Sequence, residues 1–144
     1  MEHEQIKLVQ QSWTALAQVK HELGGRLYEQ LFYLDPGLKP LFRADMREQG
    51  EKLVDMIDMA VRGLSRIEFL LPMLASLGFR HRLCGVRDHD YQTVGQALLI
   101  TLRMGLGEKF TPEVKHAWVA VYELISTTMR KGVMPAEADA VEEA

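Results

Sequence analysis

His81 ends a run of residues (Ile67, Leu70, Leu71, Leu74, Leu77 and Gly78) that recurs at three- and four-residue steps, the period of one helix face. An imidazole in the last turn of an amphipathic helix, on the face turned to the core, has two uses. It can be a hydrogen-bonded core histidine, or the single protein ligand of a metal whose other ligands are not protein. On this stretch alone the core reading stands first. Arg80 and Arg82 leave on other faces, and Gly85 suits the helix end. The other histidines do not compete: His3 is terminal, and His21, His89 and His116 sit among charged or capping residues. No second His or Cys falls at zinc-ligand spacing, and Cys84 reads as a small core or surface residue.

Two polar residues stand where the pattern asks for apolar ones. Gln49 interrupts the stripe of Met46, Leu53 and Ile57, and Tyr28 lies at the edge of the face formed by Leu23, Leu27, Leu31 and Leu34. Either could be a buried polar group needing one partner. The neighbouring glycines sharpen the reading. Gly24 is one turn before Tyr28, and Gly50 follows Gln49. A helix-interior glycine costs about 0.5–1 kcal/mol relative to alanine, so two of them imply a close approach of backbones. A crossing at Gly24 and Gly50 would bring Tyr28 and Gln49 side by side, facing one space.

The elements that must position these groups are all helical; nothing alternates as a strand. The spacing predicts helices from Glu4 to Ala17, from Lys20 to Tyr33, and a short one opened by Asp35-Pro36 and ending near Leu41-Phe42. Asp45 and Glu48, at capping-box spacing, open the Gln49 helix, which runs to Leu64. The His81 helix follows from Ile67, and Asp88 caps a long helix from His89 to Leu106. Thr111-Pro112 opens the last helix, which Gly132 ends. At 144 residues and 16.4 kDa the chain reads as one all-α domain over residues 1–132, with an acidic, Ala-rich tail over 133–144 expected to fray. A net charge of -3 gives no reason to expect nucleic acid. One cysteine, no signal-like start and no apolar run near the ~20 residues of a membrane span predict a cytoplasmic protein off the membrane.

The chain resembles the globins, and among them the single-domain bacterial globins related to neuroglobin and to flavohaemoglobin haem domains. The resemblance is carried by Leu31-Phe32 leading to Asp35-Pro36, Leu38 to Phe42, Leu77 to His81, Gly85-Val86, Tyr91 to Leu99, and Phe110-Thr111-Pro112 through Trp118 to Tyr122. It covers the helical body from about Glu4 to Gly132, and it is the order and spacing of these pieces together that is specific. It implies a three-over-three helical sandwich around a haem pocket, with no or a minimal fourth (D) helix. It implies iron in a haem b held non-covalently, since there is no Cys-x-x-Cys-His motif.

By the same resemblance, His81 matches the proximal histidine, its second ring nitrogen donating to a backbone carbonyl one turn back, that of Leu77. Phe42 matches the phenylalanine on the haem face, Gln49 the distal position and Tyr28 its partner. Leu53 matches the apolar roof over a ligand, and Val86, Tyr91, Val94 and Tyr122 match wall positions. Lys52 looks like a propionate partner, with Arg80 a weaker one. Gln49 departs from neuroglobin-like proteins, whose distal histidine itself binds iron. An amide is a poor iron ligand, so an open or water-filled site is expected.

Three functions follow as expectations. The leading one is high-affinity binding of oxygen, and of nitric oxide or carbon monoxide, through the Tyr28 and Gln49 donors. Enzyme activity is left open by the second, nitric oxide dioxygenation or nitrite reduction. With no glycine-rich dinucleotide motif and no length for a flavin domain, turnover would need an external reductase. The third is a sensor-type or haem-free interaction module, weakened by His81, Phe42, Tyr28 and Gln49 occurring together.

Overall fold

Two pairs of capping residue and proline set where helices begin. In the computed structural model, which describes residues 2–42 and 45–132, the Asp35 carboxylate accepts from the Gly37 N–H at 3.0 Å, and the Thr111 hydroxyl accepts from the Val114 N–H at 3.2 Å. Pro36 and Pro112 take the first helical positions, where a missing N–H costs nothing. The expected fraying of residues 133–144 lies outside the described residues.

The α-helices are α1 (His3–Ala15), α2 (Lys20–Leu34), α3 (Met46–Gly63), α4 (Ile67–Leu83), α5 (Asp88–Leu106) and α6 (Pro112–Arg130). Single 3-10 segments occupy Ala17–Val19, Pro36–Leu41, Leu64–Arg66 and Gly107–Lys109, and no strand occurs among the described residues. Three boundaries differ from expectation. The short helix is 3-10 rather than α, since an α turn would press the Pro40 ring on the carbonyl four residues back, that of Pro36. At the start of α3 Asp45 caps the Arg47 N–H at 3.0 Å, but Glu48 pairs with Lys52 instead of closing a capping box. At α5 the N-cap is Arg87, and Asp90 at the third position accepts the Arg87 N–H at 2.8 Å; Asp88 is already inside the helix.

Helices α1, α3 and α4 form one layer and α2, α5 and α6 the other, as the resemblance implied. The layers meet where α2 crosses α3 and where α6 crosses α1 and α4. Val9, Leu16, Leu27, Leu31, Val61, Leu102, Trp118 and Val121 fill the space between them. Polar atoms there are paired. The Trp118 indole donates to the Ser12 hydroxyl at 2.8 Å, and the Trp13 indole to Asp58 at 2.9 Å. Asp58 also meets Lys20 at 2.9 Å and Arg62 at 3.1 Å, and these donors hold its carboxyl below the usual carboxylate range. It ties the start of α2 to α3, the helix that carries Gln49.

The crossing of α2 on α3 and that of α6 on α4 are glycine contacts. A Cβ at Gly24 would fall on the Gly50 carbonyl, one at Gly78 on the Met129 carbonyl, and one at Gly132 on the Ala75 carbonyl. Nothing flexible lies there to give way. Gly24→Ala is therefore expected to destabilise by about 3 kcal/mol or more, at the upper end of overpacking costs. That lowers the melting midpoint by roughly 10 °C in a chain of this size. The neighbouring Gly25 has nothing within 4 Å of the same atom. There alanine should raise the midpoint slightly, because it removes only a helix-propensity cost of about 0.5–1 kcal/mol. Paired thermal melts of the two variants check this.

Candidate functional site

Four successive helices each carry two apolar stripes. On α3 the buried one is Gly50, Val54 and Val61, while Met46, Gln49, Leu53 and Ile57, the stripe expected to face inward, is only half-buried. On α4 Leu70, Leu74 and Gly78 are buried beside half-buried Leu77 and His81. On α5 Leu98 and Leu102 are buried beside Tyr91 and Val94, and on α6 Val121 beside Tyr122 and Ile125. The apolar members of the half-buried set pack against the core, so they form an apolar lining that the polypeptide does not itself cover. Water is a poor occupant for such a surface.

Tyr28, Gln49 and Phe42 come together at one end of it. Tyr28 is 6 % exposed, and its ring meets Phe32 at 5.8 Å and Phe42 edge-on at 5.0 Å. Its hydroxyl donates to the backbone carbonyl of Gln49 at 3.5 Å, rather than meeting the Gln49 side chain. The Gln49 amide makes no hydrogen bond to another described residue. Burial pushes the Tyr28 hydroxyl up to about 12, so it stays protonated at neutral pH and acts as a donor.

His81 lies across a corner from this group. Leu41, the residue before Phe42, stands 3.4 Å from where a Gly85 side chain would begin. Gly85 takes φ 98°, a conformation that suits glycine, and the next residue, Val86, donates its N–H to the His81 carbonyl at 3.0 Å. The His81 ring is within hydrogen-bonding reach of the Leu77 carbonyl, a contact that favours the protonated form. Burial outweighs it and, with Arg80 nearby, holds the imidazole below its ordinary value. His81 is therefore neutral near pH 7. The far wall is fixed by Tyr122, whose hydroxyl donates to the Tyr91 carbonyl at 2.6 Å and whose ring lies on Gly95. Burial pushes the Tyr122 hydroxyl up. Lys52 and Arg80 are exposed, Lys52 at 3.8 Å from Glu48.

Nothing else among the described residues competes as a metal centre. Asp35, His89 and Asp90 are close enough to share an ion. The Arg87 guanidinium already fills that role, 3.1 Å from Asp90 and 3.4 Å from His89. Of two small cavities, one is apolar against Leu27, Val54 and Leu98 and the other touches the wall residues Val86 and Tyr91 beside Arg82; neither is lined by His81, Tyr28 or Gln49.

The sequence model of the Globin family matches residues 25–129. This chain belongs to the globin family. It is 30 % identical to the neuroglobin of Tetraodon nigroviridis over 140 residues, 88 % of each chain. It is equally identical to that of Danio rerio over 139 residues, 87 % of each. This globin is thus related to neuroglobin. Among solved structures, a hexacoordinated heme protein from an anhydrobiotic tardigrade superposes with a TM-score of 0.83 over 92 % of this chain and 94 % of that one, at 17 % identity. That likeness speaks for the fold.

Haem with its iron is the cofactor of the family, and the residues present fit it. The half-buried lining is apolar, as a porphyrin requires, and contains one imidazole. That imidazole is neutral, as a metal ligand must be.

Sequence reasoning misses three side chains that hold this frame. In the sequence Asp58 reads as plain polar surface, Asp90 does not stand out, and Arg82 falls on an outer face. Arg82 in fact donates to the Arg130 carbonyl at 3.1 Å and to that of Gly132, locking the His81 helix onto α6. Only Asp90 leaves a signal, a carboxylate at the third position of a helix.

Proposed function

We propose that this globin binds oxygen and other diatomic ligands at ferrous haem iron, with His81 as the axial ligand and Tyr28 and Gln49 as donors to the ligand. The observation that carries the reading is the half-buried His81 imidazole on the apolar lining, with Tyr28 and Gln49 joined to its helix end through Phe42, Leu41 and Gly85. Bound haem supplies an iron that takes up small diatomic gases.

The chain supplies the rest. A His81 nitrogen turned to the Leu77 carbonyl, which lies within its reach, would leave the other free for iron. Phe42, Leu53, Val86, Tyr91, Val94 and Tyr122 keep water from the porphyrin, and exposed Lys52 and Arg80 are the cations available to its propionates. Tyr28, a neutral phenol at pH 7, would donate to a ligand that gains negative charge on the iron. Its present bond to the Gln49 carbonyl, at 3.5 Å, is longer than a strong O–H···O contact, so turning away from it sacrifices little. Gln49 brings two further N–H donors without a charge to bury. The Tyr/Gln pair is the feature that links this reading to the flavohaemoglobin haem domains.

The absorption spectrum of dithionite-reduced protein without oxygen is the test. A five-coordinate ferrous form that shifts cleanly on adding carbon monoxide is expected, because Gln49 is a poor iron ligand. This would set the globin apart from the hexacoordinated tardigrade heme protein it resembles in fold. A six-coordinate ferrous spectrum would overturn the open-site reading, and failure to take up haem would overturn the whole of it.

A further inference from the structure

We propose that Phe32 is a positioning residue, whose ring sets where the Tyr28 hydroxyl points. The proposal rests on the reading of Tyr28 as a donor to the ligand. Phe32 lies one helical turn beyond Tyr28 on α2, a spacing at which side chains on one helix meet. The two rings are stacked, centroids 5.8 Å apart with 18° between their planes. Phe32 also meets Phe42 edge-on, at 5.5 Å and 65°, while Phe42 meets Tyr28 at 5.0 Å and 67°. Each ring of the trio therefore touches both of the others.

The hydrogen bond alone cannot hold Tyr28 in place. At 3.5 Å it lies beyond the range of about 2.5–3.0 Å usual for a hydroxyl donor. No other described residue offers the hydroxyl a partner. What fixes the ring is its two aromatic neighbours. Of these, Phe42 stands at the end of the short 3-10 segment in extended backbone, φ -114° and ψ 98°, whereas Phe32 stands inside α2 and shares its rigid frame with Tyr28. Phe32 is itself half-buried, so it covers the outer side of the Tyr28 ring. A leucine there keeps an apolar side chain but offers no flat face to stack on. Tyr28 would then swing, and its hydroxyl would spend less time in the donating position.

The test is oxygen and carbon monoxide dissociation from the haem-loaded protein, in the wild type, Phe32→Leu, Phe32→Tyr, Tyr28→Phe and the double variant Tyr28→Phe/Phe32→Leu, with the infrared stretch of carbon monoxide as a second readout. Phe32→Leu should raise the oxygen off-rate about five- to tenfold, the effect of weakening one hydrogen bond, and leave that of carbon monoxide within about twofold. The carbon monoxide band should broaden as Tyr28 samples more positions. Phe32→Tyr, which keeps the flat face, should restore wild-type values. In the Tyr28→Phe background, Phe32→Leu should add nothing. Equal acceleration of both gases, or an undiminished Phe32→Leu effect in the Tyr28→Phe background, would reduce Phe32 to general packing and overturn the proposal. So would an unchanged oxygen off-rate in Phe32→Leu when Tyr28→Phe raises it. If Tyr28→Phe itself moves nothing, it is the donor reading of Tyr28 that falls.

Discussion

Replacing His81 with glycine is expected to strip the protein of stable haem while leaving its helices intact. The side chain is half-buried, and its one polar contact within the chain is the Leu77 carbonyl, so little of the fold depends on it. Glycine in the last turn of α4 costs about 1 kcal/mol or less in helix propensity. The helix end is held independently, by Arg82 on the Arg130 carbonyl and by the Val86 N–H on the His81 backbone carbonyl, neither of which needs the imidazole. For the iron, by contrast, the loss is of the axial ligand itself. Removing only an outer-shell partner of a metal ligand costs about 10–100-fold in metal affinity, so haem release should accelerate by more than about a hundredfold. Transfer of haem to a scavenging apoprotein measures that rate, and far-ultraviolet circular dichroism controls for the fold. Free imidazole at millimolar concentration should slow the release again and return the ferrous spectrum towards that of the wild type, since the glycine leaves room for it. A wild-type spectrum in His81→Gly without imidazole would place the iron on another residue.

The helix order and the start signals at Asp35 and Thr111 are legible in the sequence because they depend on residues adjacent in the chain. The Gly24–Gly50 crossing is legible for a different reason: two costly glycines at matching offsets from two out-of-place polar residues make sense only where two backbones must approach closely. The α3 stripe reads one step out of register. Met46, Gln49, Leu53 and Ile57 are apolar or nearly so because they line a surface the chain leaves half open, not because they fill the core, and hydrophobicity alone does not distinguish the two. Asp58 and Arg82 are illegible. Their partners, Lys20 and Trp13 for one and the Arg130 and Gly132 carbonyls for the other, are remote in sequence, and a charged residue on a helix carries no mark of which way it reaches. The partner of the Tyr28 hydroxyl is equally hidden, since it is a backbone carbonyl brought close by the glycine crossing.

Removing both distal donors, in Tyr28→Phe/Gln49→Leu, is expected to raise the oxygen off-rate by roughly thirty- to a thousandfold. A hydrogen bond to a charged partner contributes about 1.5–3 kcal/mol, and two plausible donors give about 2–4 after losses, at 1.4 kcal/mol per decade. The geometry keeps those losses small on the tyrosine side, because the bond surrendered to the Gln49 carbonyl is long and that carbonyl belongs to a half-buried residue. It keeps them small on the glutamine side too, because the amide has no partner among the described residues to abandon. The packing should survive both changes: phenylalanine retains the ring held by Phe32 and Phe42, and leucine extends an apolar stripe already present. Carbon monoxide, which takes on little charge, serves as the control and should leave only a few times faster. The free-energy effects of the single variants should sum to less than that of the double variant. Tyr28 and Gln49 touch and would act on one ligand atom, so that either can partly replace the other. Stopped-flow oxygen release from the four proteins of this cycle reads the effect. If the double substitution leaves the rate unchanged, affinity is set elsewhere and the Tyr28–Gln49 contact is only the seal over the Gly24–Gly50 crossing.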